Sequence, residues 1–194
     1  MVTRGRDLCA VLQQALDGGV KAIQLREKDL DGKELFEIAD KISVLCQRYQ
    51  AQLFVNDRID VALAVDAAGV QLGKTSLPIE TARALLGPGK LIGYSTHSAD
   101  EAKAAERDGA DFVLFGPVYF TPSKFSFGAP QGLAPLKETV AKVAVPVYAI
   151  GGIKTANLME TVETGSRGVA LISAIMSAEN PADAARPILT MLAR

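Results

Sequence analysis

At 194 residues with 48% hydrophobic side chains, the chain can bury a large core as one domain, and it is somewhat short for a complete eight-unit barrel of strands and helices. Lysine and arginine number 21 against 22 acidic residues, and the net charge of -1 leaves no basic footprint for nucleic acid or an anionic membrane surface. Cys9 and Cys46 have neither C-x-x-C nor other metal-ligand spacing and read as buried free thiols; with no leader-like or membrane-length apolar run, this predicts a soluble cytoplasmic protein.

Leu8, Val11, Leu12, Ala15 and Leu16 recur at helical spacing, and Gly18 and Gly19 stop that first helix. KAIQLRE then reads as a strand, followed by a helix that Asp31 and Glu34 open as a capping box. The same unit recurs as QLFVND with a helix from about Ile59, GVQLG with a helix around Ile79–Leu86, and KLIGYST with a helix capped by Ser98 and Glu101. FVLFGP and the helix APLKETVAKV come next, then VPVYAIGG with TANLMETVETG, and GVALISA with a last helix opened by Asn180 and Pro181. The reading is seven strands and eight helices.

Apolar strands alternating with amphipathic helices predict a parallel sheet. Polar residues close nearly every strand, which favours an α/β fold of the TIM (β/α)8 type over a doubly wound sheet with a single ligand crevice. Its first strand is missing before the opening helix, so exposed strand edges and a homo-oligomer are expected. The long connection Tyr119–Gly132 has the length of a lid. Gly151-Gly152, and the small residues that end GVALISA, allow a phosphate to approach main-chain N–H groups.

In order and spacing, QLREK at Gln24–Lys28, VND at Val55–Asp57, GYSTHS at Gly93–Ser98, FGPVYFTPSK at Phe115–Lys124, AIGGI and ALISAI resemble the thiamine-phosphate synthase and thiazole tautomerase superfamily of phosphate-binding barrels, essentially end to end. The resemblance implies a synthase that joins hydroxymethylpyrimidine diphosphate to hydroxyethylthiazole phosphate, releasing diphosphate with Mg²⁺ assistance. By motif position it implies that Gln24, Arg26, Lys28, Asn56 and Lys124 hold the diphosphate, with Arg26, Lys28 and Lys124 catalytic, and that Asp57 binds Mg²⁺. It implies further that Ser95 contacts the pyrimidine, that Thr121 and Ser123 contact the thiazole phosphate, and that Gly152, Ile172 and Ser173 form its cup. Such cations stabilise charge gathering on a departing diphosphate, and a closed site excludes competing water.

Each residue also has a local reading. Arg26 can pair with Glu27, Asp57 can cap the next helix, Gly151-Gly152 can be a plain turn, Lys124 can be a solvated charge, and His97 can be a hydrogen-bonded structural imidazole. The synthases generally carry a histidine, a glutamine and an aspartate where this chain has Gln71, Lys74 and Ser76, so a second Mg²⁺ ligand is replaced. Ser76 reads locally as the cap of the helix containing Pro78, and Lys74 as a partial substitute for metal charge. Pro117 stands where the tautomerases place their catalytic histidine. A tautomerase-like enzyme and a noncatalytic binder of thiazole or thiamine phosphate are the alternatives.

Overall fold

A computed structural model describes residues 3–121 and 129–193. The chain opens on α1 (Leu8–Asp17) and continues as β1 (Ala22–Leu25), α2 (Gly32–Arg48), β2 (Gln52–Asn56), α3 (Ile59–Ala64), β3 (Gly69–Leu72), α4 (Ile79–Leu86), β4 (Leu91–Thr96) and α5 (Ala99–Arg107). Then follow β5 (Phe112–Phe115), α6 (Leu133–Lys142), β6 (Val147–Ile150), a 3-10 turn at Thr155–Asn157, α7 (Leu158–Val162), β7 (Gly168–Ala170), α8 (Ser173–Met176) and α9 (Pro181–Leu192).

All seven strands are parallel and pair in chain order from β1 to β7, with no order reversal of the kind a doubly wound sheet requires. Among the described residues β1 and β7 each have one neighbour, so the barrel-type sheet does not close on itself. The sheet is nevertheless curled. Phe54 on β2 and Phe112 on β5 meet edge to face with ring centroids 5.3 Å apart, whereas three strand spacings in a flat sheet separate their backbones by about 14 Å. Phe112 meets Tyr148 of β6 in the same way at 5.8 Å, so three aromatic rings fill the inner face. Gly93 makes room for them, because a Cβ there would lie 2.3 Å from Phe112 Cζ. The opposite face, including Val55, Val70, Ile92, Val113 and Ala149, is fully buried under the helices.

The helices begin where their caps direct. Asp31 and Glu34 form the reciprocal capping box, and Asn180 accepts from Ala182 and Asp183 N–H groups with Pro181 in the first turn. At α5 only half of the expected box forms: Ser98 accepts from Glu101 N–H, while the Glu101 carboxylate reaches back to His97 N–H instead. Two expectations are corrected. Nine α-helices are present among the described residues rather than eight, because the run after β7 turns helical at Ser173. Strand β1 ends at Leu25, so Arg26 and Lys28 stand on the loop beyond it. The outer layer joins α1 to α9: a Cβ on Gly18 would lie 2.8 Å from Ala182 O, and Arg6 donates to Met176 O at 2.8 Å.

Candidate active site

Parallel strands that pair in order deliver all their C-terminal ends to one rim, and the polar residues collect there. Asn56, the last residue of β2, is the junction. Its Oδ1 accepts from Arg26 Nη1 at 3.0 Å and, at a longer 3.4 Å, from Gln24 Nε2, while its Nδ2 donates to Asp57 Oδ2 at 2.7 Å. Asp57 stands in the left-handed region at φ 62, which aspartate tolerates, and its N–H donates to Gln71 O at 3.1 Å. Its other carboxylate oxygen accepts from the Ser76 hydroxyl, which itself accepts from Gly73 N–H at 2.7 Å. One network therefore runs from the end of β1 across β2 to the loop after β3.

Three local readings fail against this geometry. Arg26 bonds to Asn56, and among the described ion pairs none joins it to Glu27. Asp57 does not cap α3, whose N-cap Arg58 makes no side-chain cap bond. Ser76 does not cap α4 either, where Pro78 is the N-cap, because its hydroxyl is committed to Asp57. His97 is exposed, and the hydrogen bond it makes uses its main-chain N–H, so the structural-imidazole reading also lapses among the described bonds.

Gln71 is one of the polar residues closing the strands and stands where the synthases generally carry a histidine. It is 2% exposed on β3 and donates to Ser95 Oγ at 3.0 Å and to Leu72 O at 3.3 Å, which satisfies a polar group inside an apolar strand. Ser95 is thus fixed on β4, bonded to Gln71, whose register partner on β2 is Asn56. Lys28 and Lys74 are exposed on the same rim. Thr121 is half-buried at the edge of the described chain; Ser123 and Lys124 lie outside the described residues.

On the far side of the rim, Gly151 and Gly152 take φ of 99 and 68. Their lack of side chains serves chain packing directly: a Cβ on Gly152 would lie 2.6 Å from Phe120 O, and one on Gly151 would lie 2.6 Å from Pro117 Cα. Val118 N–H donates to Ile150 O at 2.9 Å and Tyr119 N–H to Gly151 O at 3.0 Å, extending the β5–β6 pairing past the strands. Ile172 and Ser173 are exposed where α8 begins, and with four residues that helix adds little dipole of its own. Among the described residues no carbonyl accepts the N–H of Gly152 or Ser173.

Sequence reasoning missed the Ser76–Asp57 bond, the Gln71–Ser95 bond and the contacts of Tyr119. The one available signal was Gln71, a polar residue inside an otherwise apolar strand, which needs a partner.

The family model for thiamine monophosphate synthase matches residues 1–175. A putative thiamine-phosphate synthase of Geobacter sulfurreducens is 50% identical over 97% of this chain and 88% of its own length. A thiamine-phosphate synthase of Desulfitobacterium hafniense is 44% identical over 96% of this chain and 90% of its own. Among solved structures, thiamine phosphate pyrophosphorylase from Pyrococcus furiosus superposes with a TM-score of 0.91 at 40% identity, covering 98% of this chain and 91% of that one.

Proposed function

The chain belongs to the thiamine monophosphate synthase family, and from that membership we propose that it joins hydroxymethylpyrimidine diphosphate to hydroxyethylthiazole phosphate, releasing diphosphate. The observation that carries the reading is the continuous network Arg26–Asn56–Asp57–Ser76 at one rim, with a guanidinium at one end and a carboxylate near the other. A diphosphate leaving group calls for that pair of charges, one to bind it and one to hold a cation against it.

Gln24, Arg26 and Asn56 bind the diphosphate, joined by Lys28 and Lys124. Ser95 orients the pyrimidine. Thr121 and Ser123 meet the thiazole phosphate, which rests on the N–H groups near Gly152, Ile172 and Ser173. The bond between the pyrimidine methylene carbon and the diphosphate oxygen breaks with both electrons leaving on oxygen, and the thiazole nitrogen supplies the pair for the new carbon–nitrogen bond. Arg26 stabilises the departing charge, and no protein nucleophile takes part.

Oxygen donors suit Mg²⁺. Asp57 would hold the ion, its carboxylate oriented by the Ser76 hydroxyl and the Asn56 amide bonded to it. Bound there, the ion supplies positive charge to the leaving group. Ser76 replaces a second carboxylate ligand, so this chain needs more Mg²⁺ than a relative with two.

No helix among the described residues is long and apolar enough to cross a membrane. The test is incubation with both substrates and Mg²⁺ and measurement of thiamine phosphate and diphosphate in equal amounts. Thiazole isomerisation without coupling selects a tautomerase, and saturable binding without turnover selects a binding protein.

A further inference from the structure

The Gly151–Gly152 turn is fixed from two directions. Asn157 holds it from the α7 side: its Nδ2 donates to Gly152 O at 3.2 Å, and its Oδ1 accepts from Lys154 N–H at 2.7 Å. From the β5 side it is covered by Tyr119, whose Cβ sits 2.7 Å from the position a Gly152 Cβ would take and whose N–H is bonded to Gly151 O. The Tyr119 side chain then crosses to the same helix. Its hydroxyl lies 2.7 Å from Glu160 Oε1, 3.1 Å from Thr161 Oγ1 and 3.4 Å from Asn157 O.

A phenol has one proton, and the carboxylate is its shortest and charge-assisted acceptor. The Thr161 proton is already placed on Asn157 O at 2.7 Å. The Tyr119 hydroxyl therefore ties the chain after β5 to α7 while its main chain is tied to the turn, and the turn is pinned between them. Burial is the first cause that raises the Tyr119 pKa, with the Glu160 carboxylate acting in the same direction and the Thr161 bond against it, so the hydroxyl keeps its proton across ordinary pH. None of the described hydrogen bonds joins this cluster to the network of Arg26, Asn56, Asp57 and Ser76.

We propose that Tyr119 is a positioning residue for the thiazole-phosphate half of the site alone: its hydroxyl, held by Glu160 and Thr161, fixes the Gly152 turn that receives the phosphate. The proposal rests on the synthase reading and on the phosphate sitting at that turn.

Steady-state kinetics with each substrate varied in turn separate the two. Tyr119→Phe keeps the ring under which Gly152 packs and removes only the hydroxyl, and the Glu160 it leaves behind is exposed and regains water. The KM for thiazole phosphate rises about fivefold, while the KM for the pyrimidine diphosphate and kcat stay within about twofold. Glu160→Gln keeps a weaker acceptor and gives a smaller rise of the same KM, and the double variant is no worse than Tyr119→Phe alone. Equal rises in both KM values, an unchanged thiazole-phosphate KM, or additive effects in the double variant overturn the proposal while leaving the synthase reading intact. A wild-type chain that forms no thiamine phosphate overturns both.

Discussion

The Ser76 hydroxyl donates to Asp57 Oδ1 and accepts from Gly73 N–H, so a side chain that locally resembles a helix cap instead orients the carboxylate just past the C-terminal end of β2. A carboxylate at this position would face Asp57 directly. Two like charges that close raise one another's pKa unless a cation lies between them. Ser76→Asp is expected to lower thermal stability without Mg²⁺ by about 1–2 kcal/mol, to recover it with Mg²⁺, and to lower the Mg²⁺ needed for half-maximal turnover about tenfold. Thermal unfolding across a Mg²⁺ series checks this. Lys74→Gln, alone and in combination, removes a competing partner for the new aspartate; a double variant that binds Mg²⁺ no more tightly removes the replaced-ligand account.

Asn56 accepts from Arg26 and donates to Asp57, a pairing that its amide makes with one end acceptor and the other donor and that a carboxylate of the same shape cannot make. Asn56→Asp keeps the shape but places a second anion between them. It neutralises Arg26 and repels Asp57, so the KM for the pyrimidine diphosphate is expected to rise at least about tenfold, with the KM for thiazole phosphate little changed. Varying one substrate at a time measures the split, and equal rises in both would place Asn56 outside the diphosphate half.

The alternation of strands and helices was legible because parallel strands covered on their outer face read as short apolar runs, and because Asp31, Glu34 and Asn180 mark helix starts through bonds made within a few residues. The rim residues Gln24, Arg26, Asn56, Asp57 and Ser95 were legible because each lies within two residues of a strand's C-terminal end, and those ends share one rim in such a fold. What stayed hidden depends on contacts distant in sequence. Ser76 lies 19 positions from Asp57 and Tyr119 lies 41 from Glu160, and nothing in either neighbourhood specifies the partner. Helix α8 was hidden for another reason: four residues are too few to show a period.

Cys46 is 2% exposed in α2, and burial pushes its thiol up to about 11 from an ordinary 9.0. The raised value favours the protonated thiol in the folded chain. Stability from this group is therefore fully present below the unfolded pKa and declines as pH rises from about 9 to 11, by about 2–3 kcal/mol at most. Unfolding by urea at pH 8.5 and pH 11 reads the loss. The tyrosines Tyr49, Tyr94 and Tyr119, whose pKa values are also raised, add to it at the upper end. Cys46→Ala is expected to be less stable at neutral pH because of the lost packing and to show a flatter decline; an identical slope would remove the thiol as the cause. In the same folded protein Cys46 is expected to resist alkylation at pH 8, since its thiol is buried and burial holds it protonated.

Gly152 invites a substitution that blocks phosphate, but the fold itself objects first. At φ 68, with Phe120 O and Tyr119 Cβ at 2.6 and 2.7 Å from a new Cβ, even alanine meets main chain that cannot move aside without breaking the Tyr119–Gly151 bond. Gly152→Ala is expected to cost about 2–4 kcal/mol of stability, from strain in the left-handed region added to the displaced Tyr119–Phe120 segment. Gly5 supplies the comparison: it has φ 80 in a turn closed by Arg6 N–H on Thr3 O, with nothing within 4 Å of its Cβ position, so Gly5→Ala bears the backbone strain alone and is expected to cost about 1 kcal/mol. Chemical denaturation of the two variants therefore separates strain from overlap. A Gly152→Ala cost no greater than that of Gly5→Ala would mean that the Pro117–Phe120 segment does not pack on the turn, and it would leave phosphate approach as the reason for glycine at this position.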